Sequence, residues 1–163
     1  MSGYVAQAMS DQPLDDIEVV NVARRLVAGL CRRVAVSELS SFFAEAIPAV
    51  VQQLGRAGVP PAGPPMAVYR GQRGDTFAAT VGFPVERTPD GDPLVHEVLP
   101  GGSVVRSIHV GPYSTLPEVY HRLSRWFAEH DLLPPEVMWE EYLIGPDAAD
   151  EARCLTRVVY PLR

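Results

Sequence analysis

The alternation of hydrophobic and polar positions divides the chain into strand-like and helix-like segments. Residues 17–36 are rich in Val with polar residues between, a pattern that predicts one long strand, bent near Gly29. From residue 37 the apolar positions recur at steps of three and four, which predicts a helix that ends near Gly58. Pro48 lies inside this helix and should kink or divide it, because proline lacks the N–H that continues the helical hydrogen bonds.

Two predicted strands, 66–71 and 75–85, follow the helix, and the same order of elements then returns. Each half of the chain therefore has the order strand, helix, strand, strand. The elements predicted in the second half are a strand or bent hairpin over 94–111, a helix over 114–132, and strands over 136–145 and 152–162. Thr115 and Glu118 have the spacing of a capping box, which is typical of a helix start.

An internal repeat supports this division of the chain. The aligned pairs are Leu54 with Phe127, Val59 with Leu132, Pro61 with Pro134 and Tyr69 with Tyr142, all at an offset of 73 residues. A constant offset across several anchors indicates a duplicated unit. We therefore predict a single domain over residues 15–163, with pseudo-repeats over about 15–90 and 91–163, after a flexible tail over residues 1–14.

Each predicted unit supplies one helix to cover its strands. Two units side by side give an α+β fold, in which both helices lie on one face of a single antiparallel sheet. The opposite face has no helix to cover it. We expect a ligand groove on that face where the two units meet, lined by alternate residues of the strands.

Two adjacent acids, Glu140 and Glu141, lie inside the predicted strand 136–145, and alternation sends them to opposite faces. One face carries Met138, Glu140, Tyr142 and Ile144, and the other carries Val137, Trp139, Glu141 and Leu143. The repeat aligns Glu140 with Ala67 and Glu141 with Val68. The first copy of the strand has no acid at either position, so the fold itself does not require one.

Charge and composition exclude several classes of function. The net charge of −6 argues against a nucleic-acid partner, since binding phosphates needs a basic face. All 14 basic residues are Arg, so no Lys nucleophile or Schiff base is available. No apolar run approaches the roughly 20 residues of a membrane span, and no signal peptide is evident, which predicts a cytoplasmic protein without a membrane partner.

The cysteines and histidines give no sign of a metal site or a cofactor. Cys31 and Cys154 are far apart in strand-like contexts and are predicted to be small buried hydrophobes in a reducing compartment. The four histidines show no paired ligand spacing. We assign His109 to the turn that precedes the second helix and not to a general base. We therefore expect no metal and no cofactor.

Three stretches carry a resemblance to a known family: "HVGPYSTL" over 109–116, "WEEYLIGP" over 139–146, and the closing "VVYPLR". Together with the repeat, they resemble the GyrI-like small-molecule-binding domain, also found as the effector-binding half of AraC-type and MerR-type multidrug regulators. The resemblance spans about residues 15–163. It implies two strand-helix-strand-strand modules (SHS2-type), with a groove between them for bulky hydrophobic, often cationic, compounds.

The resemblance places the family's Glu-x-Tyr pair on Glu140 and Tyr142. The ligand-binding residues that we predict are Glu140, Tyr142, Trp139, Glu141, Tyr69, Tyr160, Phe83, Met138 and Tyr113. Two alternatives remain open among them. Glu141 is favoured as a solvated acid or a partner of Arg157, and the aromatic residues are equally typical of a core.

We therefore expect a monomer or weak homodimer that binds hydrophobic, cationic small molecules as a sensor or sequestering protein. Only about fifteen residues precede the domain, which argues against direct transcriptional control. One alternative implied by the resemblance is a hydrolase of cyclopropane-containing genotoxins, with Glu140 and Tyr142 as its catalytic residues. Another is a protein-interaction module that acts on a topoisomerase through its acidic surface.

Overall fold

The computed structural model describes residues 17–88, 93–145 and 150–162, which contain eight strands, two α-helices and three single-turn 3-10 helices. The strands are β1 Ile17–Val22, β2 Arg25–Ala35, β3 Met66–Arg73, β4 Thr76–Val85, β5 Val95–Leu99, β6 Gly102–Val110, β7 Val137–Ile144 and β8 Leu155–Pro161. The helices are α1 Leu39–Ala57 and α2 Pro117–Glu129. The tail predicted over residues 1–14 lies outside the described residues.

The strands form one sheet in the order β1-β6-β8-β7-β3-β4-β2-β5, and every neighbouring pair is antiparallel. The predicted α+β class and antiparallel sheet are therefore confirmed. At the centre of the sheet β3 lies beside β7, with Ala67 opposite Glu140. The strands on the two sides of this junction have matching orders. Moving outward, β3, β4 and β2 follow one another on one side, and β7, β8 and β6 on the other. In each half, the two strands after the helix come first and the strand before the helix comes last. That the two halves are copies of one unit stays a prediction.

The long strand predicted over 17–36 is wrong, because the chain leaves the sheet at residues 23–24. β1 pairs with β6 at one edge, whereas β2 pairs with β4 and β5 near the other. The hairpin considered for 94–111 is wrong in the same way, since β5 pairs with β2 and β6 pairs with β1 and β8. In both segments the structure is determined by pairing with strands that are distant in sequence. The hydrophobic pattern of a short segment carries no information about such pairing.

The sheet curls until its two ends meet, and the face without helices becomes the inside of the curl. Val27 and Leu99 from one end pack in the same cluster as Val22 and Val104 from the other. A Cβ on Gly101 would lie 2.9 Å from the backbone nitrogen of Arg24, so the two edge connections touch. Twisting strands allow that face to bury most of its apolar residues inside the curl. The ligand groove predicted on the face opposite the helices stays a prediction.

Both helices lie on the outer, convex face of the curl. α1 buries a stripe at steps of four, consisting of Phe42, Ala46, Val50 and Leu54. Met138 packs against the clusters beneath both α1 and α2, so the two helices share one face as predicted. α1 ends at Gly58, as predicted, where a φ of 68° favours glycine.

Two local features of the helices differ from the sequence pattern. Pro48 does not divide α1, which is continuous from Leu39 to Ala57, and a kink at Pro48 stays a prediction. No capping box forms at α2, whose N-cap is Leu116 without a side-chain hydrogen bond. The Thr115 hydroxyl instead donates to the Pro112 carbonyl at 2.9 Å in the turn before the helix.

The two cysteines differ in exposure. Cys154 is buried as predicted, but Cys31 is exposed, so the prediction of a buried hydrophobe is wrong for that residue. Among the described residues, neither helix is long and apolar enough to cross a membrane.

Candidate ligand site

Glu140 lies on the helix-bearing face of the sheet, near its centre. Alternation along β7 sends Glu140 and Tyr142 towards the helices and sends Trp139 and Glu141 into the curl. Glu140 is only 4% exposed. The separation of the two acids follows the predicted alternation, but the face that receives Glu140 is covered, not open.

Two tyrosines from neighbouring central strands hold the Glu140 carboxylate. The Tyr69 hydroxyl, from β3, donates to Glu140 Oε1 at 3.0 Å, and the Tyr142 hydroxyl donates to the same oxygen at 2.5 Å. The two hydroxyl oxygens are 3.4 Å apart. We call these three residues the Glu140 cluster. A carboxylate that accepts two hydroxyl protons in a dry environment is held in a fixed position.

Burial dominates the electrostatics of the Glu140 cluster. It raises the pKa of Glu140, although the hydrogen bonds from the two tyrosines act in the opposite direction. Burial, followed by the nearby Glu140 charge, raises the pKa of Tyr69 and of Tyr142 well above the usual value, so both phenols stay protonated. Within the described residues, no Arg or His forms an ion pair with Glu140. The carboxylate therefore lacks a counter-charge.

Aromatic rings surround the cluster at the seam between the helices. Phe43 of α1 and Tyr113, which precedes α2, contact Tyr142 edge to face at centroid distances of 5.5 and 5.7 Å. Phe77 contacts Tyr69 in the same manner at 5.0 Å. Tyr113 is 37% exposed, so this aromatic contact reaches from the surface to the buried Tyr142.

The structure brings together only some of the residues predicted to bind a ligand. Tyr160 packs against Phe127 beneath α2, and burial, together with the Glu140 charge, raises the pKa of Tyr160 to about 12. Phe83 packs under the C-terminal half of α1 in a separate cluster. Trp139 and Glu141 lie on the opposite face. Phe83, Trp139 and Glu141 therefore lie away from the Glu140 cluster.

Glu141 is paired by arginines inside the curl. Its Oε1 accepts hydrogen bonds from Arg25 Nη1 at 3.0 Å and Arg157 Nη1 at 3.5 Å. The predicted pair with Arg157 is confirmed. Arg25 was missed because β2 is distant in sequence and approaches Glu141 only through the curl.

Sequence reasoning also missed two other neighbours of the cluster. Phe43 counted only as one of the apolar positions that predict the first helix, and that pattern does not show its approach to Tyr142. Thr156 lies opposite Tyr142 in β8, and its hydroxyl is buried without a hydrogen-bond partner in the part of the chain that the structure describes. The Thr156 hydroxyl is therefore an unpaired polar group on the helix-bearing face, available for a further hydrogen bond.

The His109 side chain forms hydrogen bonds within the turn before α2. Its Nε2 lies 2.7 Å from the Thr115 hydroxyl and 3.2 Å from the Pro112 carbonyl oxygen. In the described parts of the chain, no three His, Cys, Asp or Glu side chains are arranged to hold a metal ion. The assignment of His109 to the turn agrees with these contacts.

Comparison with known proteins gives a family and a set of similar folds. Residues 15–163 match the GyrI-like small molecule binding domain. The EcmrR C-terminal domain superposes with a TM-score of 0.76 at 19% identity, over 93% of this chain and 99% of that one. EcmrR in its complex with DNA gives 0.77 at 18% identity, over 98% of this chain and 62% of that one, so the chain spans about 62% of that protein's length.

SAV2435 bound to tetraphenylphosphonium superposes with a TM-score of 0.67 at 8% identity, over 91% of this chain and 94% of that one. At such identities these structures show a shared fold. No curated protein matches the sequence.

Proposed function

The chain belongs to the GyrI-like small-molecule-binding domain family, and on that premise we propose that it binds bulky hydrophobic cations at the Glu140 cluster. One observation carries the proposal. A buried carboxylate is held by two neutral hydroxyl groups and has no ion-pair partner among the described residues. An ionised group so placed is destabilising in the free protein, and a cation that enters beside it would relieve that cost.

The surroundings of Glu140 suit a delocalised charge better than a compact one. The rings of Tyr142, Phe43 and Tyr113 offer faces that attract cations and large apolar surfaces that bury a ligand body. A small inorganic cation would need several further oxygen ligands. Few directional hydrogen bonds are available, so the site would accept ligands of varied shape, as expected of a sensor or sequestering protein.

Entry of a ligand requires the side chains that cover Tyr142 to move. Phe43 and Tyr113 cover Tyr142 from the two sides of the seam, and Glu140 lies below them. Both covering residues belong to segments at the N-terminal ends of helices. We propose that rotation of these two side chains opens the seam and exposes the carboxylate.

The position of the cluster also supports the duplicated unit that we propose for the fold. Tyr69 and Tyr142 are equivalent in the repeat, and so are Ala67 and Glu140. The last two face each other across the β3–β7 junction, as a pseudo-two-fold axis requires. One acid on such an axis receives a hydroxyl from each half, which accounts for the paired tyrosines.

The test compares two isosteric substitutions on one strand. Glu140→Gln should lower the affinity for tetraphenylphosphonium at least about tenfold, because it removes the charge that faces the cation. Its affinity for neutral triphenylphosphine oxide should change little. Glu141→Gln is the matched control, since it removes an equally buried charge from the opposite face and should leave tetraphenylphosphonium binding unchanged.

Isothermal titration calorimetry near neutral pH provides the measurement. Equal losses for the cation and the neutral compound in Glu140→Gln would remove the electrostatic role. Equal losses in the two Glu variants would show that the location of the acid does not matter, and would contradict the proposal.

A hydrolase is a second candidate, and the short contact between Tyr142 and Glu140 favours it. A buried carboxylate of raised pKa can act as a general base towards an attacking water, while the protonated Tyr142 hydroxyl, 2.5 Å away, holds that carboxylate in position. Incubation with an electrophilic cyclopropane compound, followed by mass spectrometry, separates the candidates. A ring-opened product that is lost in both Glu140→Gln and Tyr142→Phe indicates catalysis, whereas turnover equal to buffer leaves binding alone.

A further inference from the structure

A pocket lies inside the curl, on the opposite side of β7 from Glu140. Its volume is about 70 Å³, room for several water molecules. The lining consists of Val22, Ala23, Arg25, Leu99, Arg106, Trp139, Glu141, Arg157 and Val159. Three of these side chains are arginines and one is an acid, so the pocket carries an excess of positive charge.

The carboxylates nearby leave part of the arginine hydrogen-bonding capacity unused. Glu141 accepts one hydrogen bond each from Arg25 and Arg157, and Glu18 accepts one from Arg106 at 2.7 Å. The Nε of Arg157 is buried and has no hydrogen-bond partner among the described residues. A buried N–H without an acceptor is unusual, and an acceptor brought by a ligand would satisfy it.

We propose that this pocket binds a short-chain carboxylate. The planar guanidinium groups of Arg106 and Arg157 match the two oxygens of a carboxylate, which favours this anion over a compact halide. The walls formed by Trp139, Leu99 and Val159 are apolar and would contact a hydrocarbon tail of a few carbons. Arg25 is 32% exposed and connects the pocket with solvent.

The probe for this site is butyrate, and the reporter is the indole N–H resonance of Trp139. Titration of the unmodified protein with sodium butyrate should move this resonance with a saturable, millimolar dependence. Trp126 is the other tryptophan and lies on α2, stacked on His130, so its resonance serves as an internal reference. Phosphate has no tail to contact the apolar walls and should bind more weakly than butyrate at equal ionic strength.

Two substitutions should act in opposite directions. Arg106→Gln should weaken butyrate binding about tenfold, because it removes a charged donor from the pocket. Glu141→Gln should strengthen it, because it removes the competing negative charge. The matched control is Arg70→Gln, since Arg70 forms a similar Nε pair with Glu97 at 3.0 Å inside the same curl but does not line the pocket.

The proposal is contradicted if butyrate leaves the Trp139 resonance of the unmodified protein in place. It also fails if phosphate binds as tightly as butyrate, or if Arg70→Gln and Arg106→Gln lose equal affinity. The first of these measurements requires no variant, so the result stands even if a substitution impairs folding. The outcome is independent of tetraphenylphosphonium binding, because that site lies on the other face of the sheet.

Discussion

Glu140 and Glu141 are adjacent in the chain and almost equally buried, at 4% and 6% exposure, yet their surroundings differ in kind. Two arginines neutralise Glu141 inside the curl. Among the described residues, only phenol hydroxyls donate hydrogen bonds to Glu140, and burial raises its pKa. A buried acid with counter-ions is part of the folded structure, whereas a buried acid without them is costly to the fold and available to a ligand.

The largest difference should appear in stability when Glu141 loses its charge. Glu141→Gln leaves Arg25 and Arg157 without their anionic partner and should lower the free energy of unfolding by about 2 kcal/mol. This is below the range for fully buried pairs, because both arginines are partly exposed. Urea denaturation at neutral pH checks the value. An unchanged midpoint would mean that the two ion pairs contribute nothing net.

Glu140→Gln should act in the opposite direction and stabilise the protein by about 1 kcal/mol at neutral pH, because it removes an uncompensated charge. The folded protein raises the pKa of Glu140, so this group favours folding below its ordinary pKa and loses that contribution as pH rises through the raised value. The advantage of Gln should therefore disappear near about pH 4. Urea midpoints across this range test it, and an advantage that grows on acidification would show the opposite shift.

The two tyrosines offer a smaller, graded test of the same site. Tyr142→Phe and Tyr69→Phe each remove one donor to Glu140 and should raise its pKa further. The effect should be greater for Tyr142, whose contact is shorter, and each loss is worth about 1 kcal/mol. The measurement is the pH dependence of tetraphenylphosphonium binding, which rises as Glu140 ionises. Its midpoint should move to higher pH, and a move to lower pH would contradict the assigned donors.

The sequence was informative where a local period determines the structure. Alternation separated Glu140 from Glu141, and the stripe from Phe42 to Leu54 with Gly58 behind it defined the first helix. Neither pattern states which face of a sheet the helices cover or how far the sheet curls. The position of Glu140 beneath the helices, and the pairing of Arg25 with Glu141, depend on contacts between strands that are distant in sequence. Those contacts belong to the whole sheet and not to any segment.

The chain leaves the sheet at residues 23–24, between β1 and β2, and this affects the order in which the strands can pair during folding. β1 is the first described strand, but its partner β6 belongs to the second half of the sheet. On the ribosome, β1 must therefore wait while β2, α1, β3 and β4 emerge and associate through mostly local contacts. Its pairing with β6 closes the curl. The edge of the sheet is thus completed late, by the first of the described strands to be made.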